Sequence, residues 1–254
     1  MKARRDILKG ASLLPLGAIL ANPALAKMVA DGVQMETLTL PSGKSVKAAV
    51  ARPEQKMAPS VILIHEWWGL NDQIKSVAAD FAKQGYLAVA VDLYSGNVGT
   101  TPEEAKKYMQ SVDAKEATDT LVTWSNWAKS DAQTTDKIGV IGWCFGGGWS
   151  LNTSIAAPMD ATIVYYGNVT READALKSLK GPLQGHFATK DKWINKEMVA
   201  GFEAEMEEAG QPAPENYWYE ADHAFANPSG GRFDAEDAQL AWKRSMEFFG
   251  KHLS

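Results

Sequence analysis

The sequence predicts an α/β protein whose mostly parallel central sheet is covered by helices on both faces. Short, continuously apolar runs such as residues 60–65 and 137–141 alternate with segments of helical spacing such as residues 73–84. Strands that are buried on both faces are apolar throughout, and their alternation with helices is typical of parallel sheets. The 254 residues contain no internal repeat or linker, so one sizeable domain is expected.

The elements can be assigned in chain order. A β-hairpin is expected over residues 33–40 and 45–52, around the turn Pro41-Ser42-Gly43. The later strands are expected at residues 60–65, 86–91, 137–141, 161–166, 182–188 and 216–219. The helices are expected at residues 73–84, 102–109, 114–129, 146–156, 171–179, 195–209 and 235–250. In such sheets ligands bind at the carboxyl ends of the strands, so functional residues are sought there.

The first 26 residues have the pattern of an export signal. Four positive residues precede the apolar run Ala11–Ala21, which is too short to span a bilayer. Ala24-Leu25-Ala26 fits a small-residue cleavage site, and Arg4-Arg5 indicates a twin-arginine signal. We therefore predict a signal peptide at residues 1–26, a domain at 27–254 and a periplasmic location. The alternative is a cytoplasmic protein with an incidentally basic and apolar N-terminus.

The charge of the chain limits its partners. The formal net charge is −5, and the leader carries four positive charges and one negative charge, so its removal would leave −8. An acidic surface argues against binding to nucleic acid or anionic lipid. The expected partner is a small molecule, with no nucleic acid and no membrane after signal cleavage, and the chain is expected to be a monomer.

The single cysteine lies in a segment with the pattern of a nucleophile elbow. Gly142-Trp143-Cys144-Phe145-Gly146 follows an apolar strand and precedes a helix. The residues two before and two after the nucleophile must be small, because the strand and helix backbones approach each other there. Such a turn would expose the thiol of Cys144 and direct the N–H of Phe145 toward an oxyanion. The alternative is a buried cysteine that acts as a small apolar residue.

A base and an acid can be proposed from their positions after strand ends. A thiol has a pKa of about 8.5, so an imidazole is needed to take its proton, and a carboxylate is needed to orient the imidazole. Cys144, Asp191 and His223 follow the nucleophile–acid–base order of α/β-hydrolases. Asp222 competes with Asp191, but neighbouring side chains on an extended segment point apart. A turn or helix-cap role is the alternative for Asp191.

The other three histidines have simpler explanations. His186 lies within a predicted strand and is expected to be a packed, hydrogen-bonded core residue. His65 ends a central strand beside Glu66 and could support the site indirectly. His252 lies in the C-terminal tail. His223 alone follows the last strand in a loop, which favours it as the base.

Four motifs in order resemble the dienelactone hydrolase family over nearly the whole chain after the leader. They are His65-Glu66-Trp67-Trp68-Gly69-Leu70, Val91-Asp92-Leu93-Tyr94, Gly142-Trp143-Cys144-Phe145-Gly146-Gly147 and His223-Ala224-Phe225. The resemblance implies an α/β-hydrolase fold and a catalytic triad of Cys144, Asp191 and His223. It also implies that Glu66 lies beside the thiol and modulates it, and that the Trp67 N–H completes the oxyanion hole with that of Phe145.

The implied reaction is the opening of a lactone or the hydrolysis of a small ester through an acyl-thioester. It requires no cofactor, and no group of His, Cys and Glu has the spacing of zinc ligands. Two alternatives stay open. One is a thioesterase or another acyl-transfer hydrolase, and the other is a non-catalytic binding protein with the same fold.

The sequence departs from the family pattern at two substrate-binding arginines. Their places are taken by Gly96 and Asn227, and the loss of a bidentate clamp weakens binding of a carboxylate. Arg232 is close in sequence and could substitute, although a surface arginine is the simpler interpretation. A neutral ester or lactone is therefore expected rather than the anionic dienelactone itself. The expected substrate pocket is aromatic, and its residues are Trp68, Trp143, Trp193 and Asn227.

Overall fold

The computed structural model describes residues 16–254, and residues 1–15 of the predicted leader lie outside the described part. One sheet of eight strands runs through these residues. The strands are Gln34–Thr39 (β1), Ser45–Ala51 (β2), Ala58–Ile64 (β3), Leu87–Val91 (β4), Thr134–Trp143 (β5), Ala161–Tyr165 (β6), Leu183–Ala188 (β7) and Glu215–Tyr219 (β8). Their spatial order is β1-β2-β4-β3-β5-β6-β7-β8.

The sheet is parallel except at its first edge. The predicted hairpin pairs β1 with β2 in antiparallel register, and β2 pairs antiparallel with β4. The remaining neighbours, from β4 through β3 to β8, are all parallel. Their carboxyl ends therefore meet at one edge, where a site can be assembled. This arrangement confirms the predicted α/β class with a mostly parallel central sheet.

Helices cover both faces of the sheet. They are Leu16–Leu20 (α1), Pro23–Ala30 (α2), Asp72–Lys83 (α3), Pro102–Gln110 (α4), Ala114–Ser130 (α5), Phe145–Ala156 (α6), Ala173–Leu176 (α7), Lys196–Glu208 (α8) and Ala235–His252 (α9). Val61 and Leu63 of β3 pack in the core beneath α3 and α9. Ile62 and Ile64 pack on the opposite face, beneath α5. Alternate side chains of one apolar strand thus serve two cores.

The structure differs from the predicted elements mainly at their ends. The elbow strand β5 begins at Thr134 rather than at residue 137, because its polar first residues still pair beside Ala58 of β3. The helix expected at residues 171–179 contains only four residues, Ala173–Leu176. An apolar pattern marks which residues are buried, but it does not fix where the backbone stops being helical.

Part of the predicted leader forms helices that pack on the domain. Asn22 caps α2, and its side chain accepts hydrogen bonds from the N–H groups of Ala24 and Leu25. Ile19, Leu20 and Ala26 are buried, and the Ser76 hydroxyl of α3 donates to the Ala26 carbonyl (2.8 Å). The sequence pattern predicted a signal here and no packed structure. Within residues 16–254, no helix combines the length and the apolar character needed to cross a membrane.

Candidate active site

Cys144 lies at a sharp turn between β5 and α6, at the carboxyl edge of the sheet. Its φ of +54° is unusual for a residue with a side chain and is typical of a strained functional position. A Cβ added to Gly142 would lie 2.0 Å from the Gly146 carbonyl oxygen, and one added to Gly146 would lie 2.2 Å from the Ile64 oxygen. The backbone therefore admits only glycine at both positions, as the elbow pattern requires.

Three side chains form a continuous hydrogen-bonded series at this edge. His223 Nε2 lies 3.2 Å from the Cys144 Sγ, and His223 Nδ1 lies 2.6 Å from Asp191 Oδ2. Asp191 follows β7, Cys144 follows β5 and His223 follows β8. Parallel strands bring these residues together although they are up to 79 positions apart in sequence. The distances are compatible with the predicted roles of a nucleophile, a base and an orienting acid.

Backbone hydrogen bonds orient Asp191 for its contact with His223. Its Oδ1 accepts hydrogen bonds from the N–H groups of Trp193 (2.8 Å) and Ile194 (3.1 Å), which leaves Oδ2 for His223. The turn contacts of Asp191 and its contact with His223 thus use different oxygens of one carboxylate. The neighbouring Asp222 is exposed, so the carboxylate that contacts the imidazole is Asp191.

The pKa values of His223 and Asp191 are shifted in opposite directions. Burial disfavours charge on His223, but the hydrogen bonds and charges of Asp191 and Cys144 outweigh burial and raise its pKa to about 9. Burial likewise disfavours the Asp191 carboxylate, but the hydrogen bond and charge of His223, with the two backbone donors, lower its pKa overall. At neutral pH the pair is therefore an imidazolium bound to a carboxylate.

Glu66 lies at the end of β3 and is buried. The Tyr166 hydroxyl donates to its Oε1 (3.2 Å), and the Asn227 amide donates to its Oε2. Burial raises the pKa of Glu66 against the lowering effects of Asn227, His223 and Tyr166. Among residues 16–254, no hydrogen bond joins Glu66 directly to the Cys144 thiol. Tyr166 joins it to His223, because the Tyr166 ring contacts the His223 ring at a centroid distance of 5.2 Å.

Sequence reasoning missed Tyr166. It directly follows β6, has a φ of +36° and is buried between Glu66 and His223. Burial raises its pKa well above 10, with further increases from the charges of Glu66 and Cys144. The phenol is therefore a hydrogen-bond donor at neutral pH. Its place at the carboxyl end of the strand predicted over residues 161–166 is the signal that could have identified it, because Glu66, Asp191 and His223 also lie near strand ends.

The residues predicted for the oxyanion hole follow the neighbouring strands β3 and β5. Phe145 is the first residue of α6, where backbone N–H groups have no acceptor within the helix. Trp67 follows Glu66 in a turn that is closed by a hydrogen bond from the Gly69 N–H to the Glu66 carbonyl (3.2 Å). Trp67 and Trp68 are half-buried and contact each other at a ring centroid distance of 4.9 Å.

Comparison with known proteins identifies the family. The sequence pattern of the dienelactone hydrolase family matches residues 46–253.

The chain belongs to the dienelactone hydrolase family.

A carboxymethylenebutenolidase of Pseudomonas putida is 25% identical over 236 residues, which cover 87% of this chain and 96% of that protein. Protein usf of Aquifex pyrophilus is 30% identical over 225 residues, which cover 84% of this chain and 96% of that protein. The crystal structure of the dienelactone hydrolase-like promiscuous phosphotriesterase P91 superposes with a TM-score of 0.77 at 18% identity, over 87% of this chain and 99% of that one. The likeness in structure confirms the α/β-hydrolase type of fold.

This dienelactone hydrolase family member has no guanidinium group at positions 96 and 227, which are occupied by glycine and asparagine. Gly96 forms part of a turn in which its N–H donates to an Asp92 carboxylate oxygen. Asn227 uses its amide to bind Glu66. Arg232 instead lies over the ring of Trp193, 5.6 Å from its centroid. Trp193 is 61% exposed and its ring contacts the His223 ring at a centroid distance of 5.3 Å, so Trp193 and the Arg232 above it lie at the mouth of the site.

His186 and His65 have structural hydrogen-bond partners. Both ring nitrogens of His186 are hydrogen-bonded in the core, to the Tyr219 hydroxyl (2.8 Å) and to Gln184 Oε1 (2.9 Å), as predicted. His65 Nε2 accepts a hydrogen bond from the Leu93 N–H (3.3 Å), so its Nδ1–H donates to the Glu66 carbonyl (2.6 Å). In the part of the chain that the structure describes, no cluster of His, Cys, Asp and Glu could hold a metal ion.

Proposed function

We propose that this hydrolase opens a lactone or cleaves a small ester through Cys144 and an acyl-thioester intermediate. The observation that supports this most directly is the series Cys144–His223–Asp191, with its distances of 3.2 and 2.6 Å. His223 Nε2 takes the proton of the Cys144 thiol in the proposed step, and its distance of 3.2 Å from the sulfur and its raised pKa support this. A thiolate is the form of cysteine that attacks a carbonyl carbon.

In the first half of the reaction, the Cys144 sulfur forms a bond to the carbonyl carbon and the carbonyl electrons move to its oxygen. The resulting oxyanion is stabilised by the N–H groups of Phe145 and Trp67. Collapse of the intermediate breaks the bond to the leaving oxygen, which takes the proton from His223 Nε2. In a lactone, that oxygen stays attached to the acyl group as a hydroxyl.

In the second half, neutral His223 removes a proton from water, and the hydroxide attacks the thioester carbon. The carbon–sulfur bond breaks, the acid leaves, and the thiolate faces an imidazolium again. Asp191 stabilises the imidazolium in both halves. Glu66 modulates this cycle, and its hydrogen bond with Tyr166, which contacts His223, supports that role.

The substrate class is a neutral ester or lactone. The uncharged residues Gly96 and Asn227 support this, because a buried carboxylate is bound most strongly by a bidentate arginine. Trp193, which contacts His223, and the predicted pocket residue Trp68 offer apolar contact area.

A single experiment tests both mechanism and substrate class. We expect Cys144→Ala to reduce the hydrolysis of p-nitrophenyl butyrate at least about 1,000-fold, because loss of a nucleophile leaves only binding and oxyanion stabilisation. The wild-type protein is compared on p-nitrophenyl butyrate and mono-p-nitrophenyl succinate, which match in length and differ by a carboxylate. Retained activity in the variant would refute the mechanism, and better turnover of the succinate would refute the neutral substrate.

We also propose that residues 1–26 direct export through the twin-arginine route to the periplasm. The basic residues, the short apolar run and Ala24-Leu25-Ala26 support this. N-terminal sequencing of the protein from a periplasmic extract should give Lys27 as the first residue. An intact N-terminus in the cytoplasmic fraction alone would contradict the proposal.

A further inference from the structure

A cavity of about 700 Å³ lies between α3, α9 and the loop that follows His223. This volume is within the range of about 300–1,000 Å³ that is usual for small-molecule sites. Its inner end is formed by buried residues, Glu66, Trp143 and Tyr166. Its outer end reaches the surface at the exposed residues Ala235 and Gln239 of α9. The cavity therefore connects solvent with the carboxyl group of Glu66.

The cavity is adjacent to the catalytic residues but separate from them. Neither Cys144 nor His223 lines it. The boundary consists of Tyr166, whose ring contacts His223, and of Glu66, which is held by Tyr166 and Asn227. Trp143, which directly precedes the nucleophile, also lines the inner end. Neither Trp193, which contacts His223, nor Trp68 lines this cavity, which offers a second approach from the other side of Glu66.

The walls suit an apolar group rather than an ion. Between the inner end and the surface they include Leu20, Ile74, Val77, Phe233 and Trp242. Apart from Glu66, the charged groups are on α3, where Lys83 Nζ lies 4.0 Å from Asp80 Oδ1. Polar hydrogen-bonding groups at the inner end are concentrated at Glu66 and Tyr166. A molecule with an apolar chain and one polar end matches this distribution.

We infer that this cavity is the subsite for an apolar acyl chain of the ester or lactone, an inference that rests on the proposed function. The chain lies between α3 and α9, and the carbonyl end extends past Glu66 to the Cys144 sulfur. For this to happen the Glu66 carboxyl group must turn away from Tyr166 and Asn227. The enzyme thereby accepts acyl chains of medium length as well as short ones.

The predicted leader contributes one wall. Leu16, Gly17 and Leu20 of α1 line the cavity, and Leu20 packs against residues of α3. Cleavage after Ala26 would remove this wall and widen the entrance. In the full chain, the same enlargement can be made by shortening one side chain, as in Leu20→Ala.

The test fills the cavity in the full-length protein. Ala238 of α9 lines it and is half-buried, so Ala238→Phe places a ring in the proposed path of the acyl chain. The matched control is Leu240→Phe, on the same helix but outside the lining and 39% exposed. We expect Ala238→Phe to lower the ratio of kcat/KM for p-nitrophenyl octanoate to that for the acetate at least about tenfold. Leu20→Ala should raise this ratio, and Leu240→Phe should leave it unchanged.

A binding measurement separates this inference from the reaction. 2-Decanone has an apolar chain and a carbonyl group but no bond to hydrolyse, and Trp143 and Trp242 in the walls report its binding by fluorescence. We expect saturable quenching, with a Kd that Ala238→Phe raises at least about tenfold and Leu240→Phe does not change. No saturable quenching, or an unchanged substrate ratio in Ala238→Phe, would overturn the subsite. Ketone binding without hydrolysis of any ester would overturn the proposed function and leave the cavity only as a binding site for an apolar chain.

Discussion

His186 and His223 are both buried and both hydrogen-bonded at each ring nitrogen, yet their pKa values shift in opposite directions. Burial, aided by the positive charge of Arg244, lowers the pKa of His186 to about 3. Burial also disfavours a charged His223, but the hydrogen bonds and charges of Asp191 and Cys144 outweigh burial and raise the pKa of His223 to about 9. The partners of His186 are neutral hydroxyl and amide groups, whereas those of His223 are a carboxylate and a thiol. The comparison shows that the charge of the partner, and not burial, decides which histidine can carry a proton at neutral pH.

Their positions in the sheet explain the partners. His186 lies inside β7, where its neighbours are side chains of β8 and α9, and it stabilises the packing of those elements. His223 lies beyond β8, at the carboxyl edge of the sheet, where Cys144 follows β5 and Asp191 follows β7. A strand interior supplies neutral partners for a buried imidazole here, and the loop edge supplies charged ones.

The largest expected effect comes from making the surroundings of His223 resemble those of His186. Asp191→Asn removes the carboxylate and keeps the shape, so the pKa of His223 should fall and the imidazole should lose its correct tautomer. We expect kcat/KM for p-nitrophenyl butyrate to decrease on the order of 100- to 10,000-fold. NMR titration of the imidazole measures the pKa directly. Asp222→Asn, exposed beside His223, is the matched control and should change neither quantity; equal effects of the two variants would remove Asp191 from the triad.

The second effect concerns the dependence of stability on pH. A histidine whose pKa is higher in the folded state stabilises the fold fully below its unfolded pKa and loses this contribution as the pH rises through the folded value. For His223 the window therefore extends from about pH 6.5 to about pH 9. Over this window, the wild-type free energy of unfolding should fall relative to that of His223→Gln, by up to roughly 3 kcal/mol. Urea unfolding at several pH values measures the free energy of unfolding of both proteins. If the two plots of this free energy against pH ran parallel from pH 6.5 to pH 9, the prediction would be contradicted.

The smallest effect on activity is expected at the other histidine. His186→Phe keeps a ring in the core but leaves Gln184 and Ser245 without one of their partners. This should cost about 1–3 kcal/mol of the free energy of unfolding, because buried polar groups lose hydrogen bonds. The kcat per folded molecule should stay unchanged, since His186 does not contact the triad. A tenfold loss of kcat at full folding would contradict the purely structural role. His252→Phe, at the end of α9, provides the comparison for a partly exposed position.

Much of the fold could be predicted because apolar runs and glycine positions are local signals. The hairpin at β1 and β2, the buried strands β3 and β4 and the helix α3 were found close to their true ends. The chain order of Cys144, Asp191 and His223 indicated which residues to bring together. What the pattern did not show was the packing of Leu16–Ala30, because a leader and an amphipathic helix share an apolar composition.

The sequence by itself determined the elbow, because the close approach of strand and helix requires glycine at positions 142 and 146, and the sequence has glycine at both. It also determined the absence of arginine at positions 96 and 227. Only the tertiary structure decided that Asn227 binds Glu66, that Tyr166 joins Glu66 to His223, and that Arg232 lies over Trp193. These contacts join residues from separate loops. Their distances depend on how the strand ends converge, which no local pattern contains.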